Sequence, residues 1–177
     1  MNKSRLRFRL ATLVVLVSIT PFAIPNWRTP TAKIGEQALS LELASSWDKQ
    51  KKGLMFRKSM PENHGMLFLF SPPRTVNFWM YHTLIPLDIL FIENDKIVKV
   101  FHNVPPCTSE VATDCPRYGG IKASEVLELN GGYAVRHHVG EGDSIKFDRW
   151  FRLASFAELY EKVKNPLRPL IKLIRSK

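Results

Sequence analysis

Cysteine is scarce in this sequence of 177 residues, which contains only Cys107 and Cys115. Seven residues separate them, so the C-x-x-C spacing of thiol redox motifs is absent. Two cysteines also exclude a disulfide-dense scaffold. In an exported chain the simplest prediction is one local disulfide, which would stabilise the fold by roughly 2–3 kcal/mol. A redox role for the pair is the alternative.

Several motifs of enzymes and nucleotide-binding proteins are also missing. The chain has no Gly-rich phosphate loop, no G-x-S-x-G elbow, no H-E-x-x-H and no zinc-finger spacing. Two thiols alone make a poor metal site, so we predict no metal and no cofactor. There are no internal repeats and no low-complexity tract. One domain with tails is therefore expected for this length.

Acidic residues are fewer than basic ones, but the imbalance lies at the two ends of the chain. The net charge is +10, and residues 1–30 and residues 150–177 each contribute +5. Residues 31–149 hold 14 charges of each sign and are neutral. Because a nucleic-acid-binding domain normally carries a basic face, we predict no nucleic-acid binding.

The N-terminal charge belongs to a predicted export segment. Arg5, Arg7 and Arg9 precede an apolar run over residues 10–24. A basic region followed by a short apolar run is typical of a secretory signal, and 15 residues are short for a spanning helix. We expect residues 1–26 to be a signal peptide or an uncleaved signal anchor. The rest of the chain is then exported across the cytoplasmic membrane, to the periplasm or the cell exterior.

Residues 27–37 are expected to be a linker and residues 38–149 the folded domain. Apolar or alternating segments bounded by turn residues predict strands at 38–44, 65–70, 76–80, 84–92, 97–104, 124–129 and 144–147. Short helices are predicted at 47–56, where Ser46 can act as the cap, and at 131–138. A long loop is predicted at 105–122. This pattern favours a mainly β fold, a small antiparallel sandwich or barrel with one or two short helices.

The C-terminal segment, residues 150–177, has a different pattern. Ser155 and Glu158 fit a capping box, and apolar residues then recur with helical spacing on both sides of Pro166. The segment 155–177 is also basic. The predicted amphipathic helix either packs its apolar face on the domain or lies on an anionic membrane surface.

Asp88 is the single carboxylate in the densely apolar stretch 78–92. Because desolvating an unpaired charge is costly, it must accept backbone N–H groups, pair with Arg57, or serve as a ligand-orienting or proton-transferring acid. Trp79 in the same stretch is either part of the core or a stacking surface for a sugar or another flat ligand. These considerations predict a ligand-binding set: Arg57, Trp79, Asp88, Tyr118 and Glu128.

Eight segments follow the order of a known family from residue 53 to residue 147, over 95 residues. They are 53–57 (GLMFR), 65–68 (GMLF), 78–80 (FWM), 83–92 (TLIPLDILFI), 103–107 (NVPPC), 115–116 (CP), 126–130 (VLELN) and 142–143 (GD). In these motifs the chain resembles the domain of unknown function (DUF) 192 family. The resemblance implies a compact, mainly β, sandwich- or barrel-like fold, often on exported proteins, and no established activity. The chain departs from the family at Tyr81-His82, where a Lys-Asn type pair is usual, and in its longer loop between the cysteines.

Two functional hypotheses follow. The first is an exported, non-enzymatic binding or accessory module, with or without membrane association. It would hold a small ligand or a protein partner near Trp79, Asp88 and the Cys107–Cys115 loop. The second is an extracytoplasmic hydrolase or lyase that uses Asp88 or Glu128 as its acid–base group. Convergence of the two carboxylates in an open pocket, with raised pKa values, would favour the enzyme. A closed, fully hydrogen-bonded Asp88 would remove its best residue.

Overall fold

The computed structural model describes residues 30–148, and this part of the chain is mainly β. In chain order the elements are β1 (Thr31–Ile34), β2 (Gln37–Ala44), α1 (Trp47–Lys52), β3 (His64–Trp79), β4 (Leu87–Glu93), β5 (Lys96–Val104), a 3-10 turn (Ala112–Asp114), β6 (Arg117–Asn130), α2 (Tyr133–Arg136) and β7 (Ile145–Phe147). The predicted fold class is confirmed. The predicted export segment (residues 1–26) and the amphipathic tail (residues 150–177) lie outside the described residues. Within residues 30–148, no helix has the length and apolar character needed to cross a bilayer.

The seven strands form one sheet in the order β5-β4-β6-β3-β2-β1-β7, which curls into a half-barrel. At one end of the curl, β5 and β7 approach each other: Ile97 N donates to Asp143 O and Ile145 N donates to Asp95 O, both at 2.9 Å. Neighbouring strands are antiparallel with the exception of β2 and β3, which are parallel. The expected all-antiparallel sheet therefore has one parallel pair, because α1 and the loop after it return the chain to the starting end of β2.

Side chains from all seven strands meet in an inner core inside the curl. A row of residues paired across five strands runs through it. Leu67, Leu127, Leu90 and Val100 are buried, and Leu43 is partly buried at one end of the row. The alternation that predicted the strands accounts for this row, since every second residue points to the same face. Each such aliphatic side chain stabilises the fold by about 1.5–3 kcal/mol when it is fully buried.

A second, outer core lies on the other face of β2, β3, β6, β4 and β5, and β3 itself covers part of it. The Phe68 and Phe78 rings belong to one strand, yet their centroids lie 4.8 Å apart in a T-shaped contact. Ten residues of extended strand would separate them by about 33 Å, so β3 must bend back on itself. The bend lies between Leu69 and Arg74, where the register with β6 shifts and two prolines interrupt the ladder. The two strands predicted at 65–70 and 76–80 are thus one bent strand.

Four further differences from the predicted boundaries are the largest. Strand β1 forms within the segment 27–37, which was expected to be a linker. Strand β6 starts at Arg117, inside the predicted loop 105–122. Helix α1 ends at Lys52 instead of continuing to residue 56, because Gly53 adopts φ +49° and ψ −134°, which cannot continue a helix. Strand β4 begins after Pro86, because proline cannot donate to the ladder.

Candidate functional site

Asp88 lies at the start of β4, faces the inner core and is fully buried. Its Oδ1 accepts hydrogen bonds from Asn103 N (2.6 Å) and Gly132 N (2.9 Å), and its Oδ2 accepts one from Ala134 N (2.6 Å). Two of these donors are at the first turn of α2, where backbone N–H groups lack partners within the helix. Of the alternatives predicted for Asp88, the structure shows the first: backbone N–H groups donate to its carboxylate oxygens.

Glu128 lies on β6, faces the outer core and is 4% exposed. Its register partners are Met66 on β3 and Ile89 on β4, and its Oε2 is buried without a hydrogen-bond partner. Burial alone raises the pKa of Glu128 to about 8. The carboxyl group is therefore mostly protonated at neutral pH. Asp88 and Glu128 point to opposite faces of the sheet, so the two carboxylates do not converge.

A third carboxylate, Glu42 on β2, occupies the same row of the outer face, beyond Met66. Arg57 donates to both of its oxygens, Nη1 to Oε1 at 2.6 Å and Nη2 to Oε2 at 2.9 Å. His64 Nε2 lies 2.8 Å from Oε1. The hydrogen bond from Arg57 is the main cause that holds the pKa of Glu42 below its ordinary value. The predicted alternative in which Arg57 pairs with Asp88 is therefore wrong. Arg57 pairs instead with Glu42, on the outer face of the sheet.

The loop at residues 53–57 links these outer-face groups. A side-chain carbon at Gly53 would lie 3.9 Å from Glu128 Oε2, so this loop covers the buried acid. Leu54 is buried in the outer core, whereas Phe56 turns outward and is 60% exposed. Phe56 has φ +63°, a left-handed conformation that is uncommon for a bulky residue.

The exposed Phe56 begins a continuous series of ring contacts. Phe56 N donates to His82 O at 2.8 Å, and His82 is itself left-handed, with φ +52°. The Phe56 and His82 rings are stacked with centroids 4.8 Å apart, Tyr81 lies 3.9 Å from His82, and Trp79 lies 5.5 Å from Tyr81. The Arg117 guanidinium lies over Trp79 at 5.6 Å. We call these five residues the aromatic stack: Phe56, His82, Tyr81, Trp79 and Arg117.

The predicted disulfide between Cys107 and Cys115 is present, with an S–S distance of 2.03 Å. It closes a loop that lies beside the aromatic stack. Cys107 N donates to Thr83 O at 3.1 Å, and Tyr81 Oη donates to Glu110 O at 3.2 Å. Val111 at the tip of the loop is 53% exposed. The loop therefore forms one side of the same surface.

The structure divides the five residues of the predicted set. Trp79 is in the aromatic stack, and Arg57 follows Phe56 in the loop at residues 53–57. Glu128 lies beneath this loop. Asp88 leaves the set, because it is enclosed in the inner core with its acceptors occupied. Tyr118 also lies elsewhere, with its ring against Phe101 at the outer core.

Sequence reasoning missed Phe56 and Glu42. The predicted helix at 47–56 included Phe56, and the signal that it lies outside the helix was Gly53, a residue that commonly ends helices. Glu42 is a polar residue in an alternating strand, where a solvent-facing position is the ordinary expectation. The sequence around Glu42 carries no signal that Arg57, 15 residues later, would pair with it.

A cavity of approximately 770 Å³ lies away from the predicted set, between the β1–β2 turn and the end of α2. Its lining includes Lys33 and Lys146, which are register partners, together with His137 and His138. Glu36 and Asp143 also line it, so its walls carry charges of both signs.

Residues 30–147 match the model of one family, DUF192, described as an uncharacterized ACR. This match confirms the resemblance drawn from the motifs. A solved protein of unknown function from Novosphingobium aromaticivorans DSM 12444 is similar, with 33% identity, a TM-score of 0.57 and coverage of 66% of this chain and 82% of that one. A solved putative transcription regulator from Sinorhizobium meliloti 1021 is also similar, with 34% identity, a TM-score of 0.57 and coverage of 67% and 91%. No curated protein matches the chain.

Proposed function

The chain belongs to the DUF192 family of uncharacterised proteins, and we propose that this member is an exported, non-enzymatic binding module whose aromatic stack holds a ligand with a flat ring. The observation that carries the proposal is the pair Phe56 and His82. Both have left-handed backbones, they are joined by a hydrogen bond, and they hold a large ring in solvent.

Such an arrangement is costly for a residue with no external role. A left-handed conformation destabilises a non-glycine residue by about 1–2 kcal/mol, and a phenylalanine left in water forgoes about 1.5–3 kcal/mol of burial. Backbone strain of this kind persists where the surrounding structure imposes it, and it is concentrated at binding and active sites. Here the hydrogen bond to His82 and the burial of Leu54, two residues before Phe56, impose it.

The chemistry of the stack favours a ring-shaped ligand. Aromatic rings offer apolar faces and edges to flat partners, and Tyr and Trp supply both apolar area and a polar group at low entropic cost. Arg117 and His82 add donors, and no carboxylate belongs to the stack. Saccharides are the first ligand class to test, since they combine flat faces with hydroxyl groups.

The alternative, a hydrolase or lyase, needs an acid–base group that can reach a substrate. Asp88 has its oxygens occupied by backbone donors, and Glu128 is 4% exposed beneath the Gly53 loop. The enzyme proposal therefore lacks a converging pair among the described residues. A nucleic-acid role, suggested by the name of the Sinorhizobium neighbour, is not favoured by the neutral charge of residues 31–149.

Export is supported by two independent features. The N-terminal pattern is that of a signal peptide or signal anchor, and a structural disulfide is typical of oxidising compartments. Membrane association, through an uncleaved anchor or through the basic tail at 155–177, remains part of the proposal. The ligand site itself is on the folded domain.

The test is isothermal titration calorimetry of the purified protein against a panel of mono- and oligosaccharides, aromatic amino acids and nucleosides. At least one class should bind, and Phe56→Ala and Trp79→Ala should weaken that binding tenfold or more. Val135→Ala is the matched control, because Val135 is 64% exposed but lies on α2, outside the stack. A ligand that binds both stack variants as tightly as wild type would refute the site.

A further inference from the structure

Helix α1 stands out from the body of the domain with most of its surface in solvent. The helix spans the six residues Trp47–Lys52, and five of them are exposed. Gln50 faces the sheet, and its Nε2 donates to Leu69 O at 3.0 Å. Trp47 is 70% exposed, the largest value among the exposed large apolar side chains of residues 30–148. A tryptophan in this position contributes nothing to either core.

The same segment is strongly basic, although residues 31–149 as a whole are neutral. Residues 47–58 contain one acid, Asp48, and four exposed lysines: Lys49, Lys51, Lys52 and Lys58. Arg57 in this segment is neutralised by Glu42, so the exposed local charge is about +3 at neutral pH. Within the described part of the chain, none of the four lysines forms an ion pair with a carboxylate. Lys51 Nζ instead lies 5.1 Å from the centre of the Trp47 ring.

We infer that α1 is a membrane-contact surface, which docks on anionic phospholipid headgroups with the Trp47 ring inserted between them. Tryptophan partitions to the membrane–water interface, where its apolar body and its N–H group both find partners. Lysines on the adjoining surface are attracted to anionic lipid, and each strengthens binding about fivefold. Charge complementarity thus selects an anionic bilayer over a neutral one.

The residues that carry this proposal, Trp47 and the lysines of α1, belong neither to the aromatic stack nor to the basic segment 155–177. Phe56 belongs to the stack and is not required for lipid contact. The contact is weak by itself, because a single ring and four lysines bury little area. It gains strength if the predicted N-terminal signal anchor already holds the domain near the bilayer, since tethering raises the effective concentration.

The experiment is flotation of the full chain with vesicles of phosphatidylglycerol and phosphatidylethanolamine, and with vesicles of phosphatidylcholine. The test variants are Trp47→Ala and the triple change Lys49→Gln, Lys51→Gln and Lys52→Gln. The matched controls are Val135→Ala and the triple change Lys33→Gln, Lys96→Gln and Lys146→Gln. All of these side chains are exposed, so folding should be retained, and thermal unfolding checks this.

We expect wild type to bind the anionic vesicles and to be released by 0.5 M salt (about a 4 Å Debye length). The lysine test variant should bind at least tenfold more weakly and Trp47→Ala several-fold more weakly, with both controls within twofold of wild type. Equal losses of vesicle binding in the test and control variants would overturn the proposal. Tighter binding of RNA, with displacement of the vesicles, would also overturn it and would assign the patch to nucleic acid.

A second measurement excludes a dominant contribution from the tail. A polarity-sensitive fluorophore attached at Asp48→Cys should shift to shorter wavelength on anionic vesicles, whereas the same probe at Val135→Cys should not. If the probe at position 48 stays in water while the protein floats with the vesicles, α1 is not the contact surface. The stack proposal is unaffected by that result, because its ligand and its variants are different.

Discussion

Two buried carboxylates on neighbouring strands of this domain have opposite surroundings. Asp88 on β4 is the register partner of Leu129, and Glu128 on β6 is the partner of Ile89, so the two lie one residue apart along the same ladder. Asp88 points to the inner core and accepts three backbone hydrogen bonds. Glu128 points to the outer core, and its Oε2 accepts none. Both acids are buried, so the difference between their surroundings lies in the supply of hydrogen-bond donors.

The donors come from irregular backbone. Asn103, with φ +45°, lies where the β4–β5 register shifts, and Gly132 and Ala134 lie at the start of α2. At these places N–H groups are free of the ladder. Glu128 is on a central strand between β3 and β4, whose N–H groups are engaged with neighbouring strands. A regular sheet leaves no backbone donors for a buried side chain.

The largest effect is expected from Asp88→Ala. It leaves three buried N–H groups without an acceptor and should lower the free energy of unfolding by about 4 kcal/mol. Asp88→Asn retains part of the acceptor capacity and should cost less. Urea denaturation at pH 7 measures both, with Glu36→Ala in the exposed β1–β2 turn as a control expected within about 0.5 kcal/mol of wild type. A loss below 1 kcal/mol for Asp88→Ala would contradict the structural role.

Glu128→Gln should raise the free energy of unfolding at pH 7, whereas Asp88→Ala lowers it. Because the folded pKa is raised from 4.5 to about 8, the unfolded chain ionises first as pH rises, and the folded state loses stability between pH 4.5 and about 8. Glutamine cannot ionise, so the variant should be more stable than wild type by roughly 3 kcal/mol at pH 7 and similar to it near pH 4.

Denaturation curves for Glu128→Gln at pH 4, 5.5, 7 and 8 test this slope, and Glu36→Gln serves as the exposed control. If the free energies of unfolding of wild type and Glu128→Gln change in parallel with pH, the Glu128 carboxyl group is solvated or paired in solution. The comparison with Asp88 would then have to be abandoned.

Gly53→Ala tests the cover over Glu128. The added carbon would lie 3.5 Å from Phe68 Cζ and 3.9 Å from Glu128 Oε2, which are ordinary contacts. The expected loss of about 1–2 kcal/mol therefore comes from the backbone, which has φ +49° and ψ −134°. Gly140→Ala, with open space around it, is the control. Equal thermal stability of the two variants would argue against the strained cover.

The smallest effect is expected from Arg57→Gln, which removes the arginine partner of the partly exposed Glu42 and leaves His64 beside it. The loss should be no more than about 1 kcal/mol at pH 7, since solvent screens half-exposed pairs. The folded pKa of Glu42 is lowered, so this contribution is present above pH 4.5 and is lost as the pH falls through the folded value. Its pH dependence thus runs opposite to that of Glu128. Lys146→Gln is the control, and a stability difference that does not shrink as the pH falls below 4.5 would rule out the ion pair as its source.

Much of the architecture was accessible from the sequence. Alternation in β2 and the apolar run of β4 predicted those strands, and the two cysteines predicted their disulfide. Strand β1 was missed because a four-residue strand after a Pro-Thr segment carries little periodic signal. The bend in β3 could not be recognised, because two prolines interrupt the local pattern in the same way whether they lie in one bent strand or between two strands.

The candidate site was less accessible. The sequence predicted that a carboxylate among apolar residues, as Asp88 is, must have partners. It left Trp79 as either a core residue or a stacking surface. It could not place Phe56 beside His82, because the two are 26 residues apart and meet through a hydrogen bond between loops.

The sequence by itself determined the fold class, the family and which residues alternate between the two faces, because these depend on local periodicity and on motif order. The tertiary structure alone decided that Asp88 meets three backbone donors, that Glu128 Oε2 meets none and that Arg57 binds Glu42. The physical reason is register: hydrogen-bond partners on strands and loops far apart in sequence are chosen by how the whole sheet curls and packs.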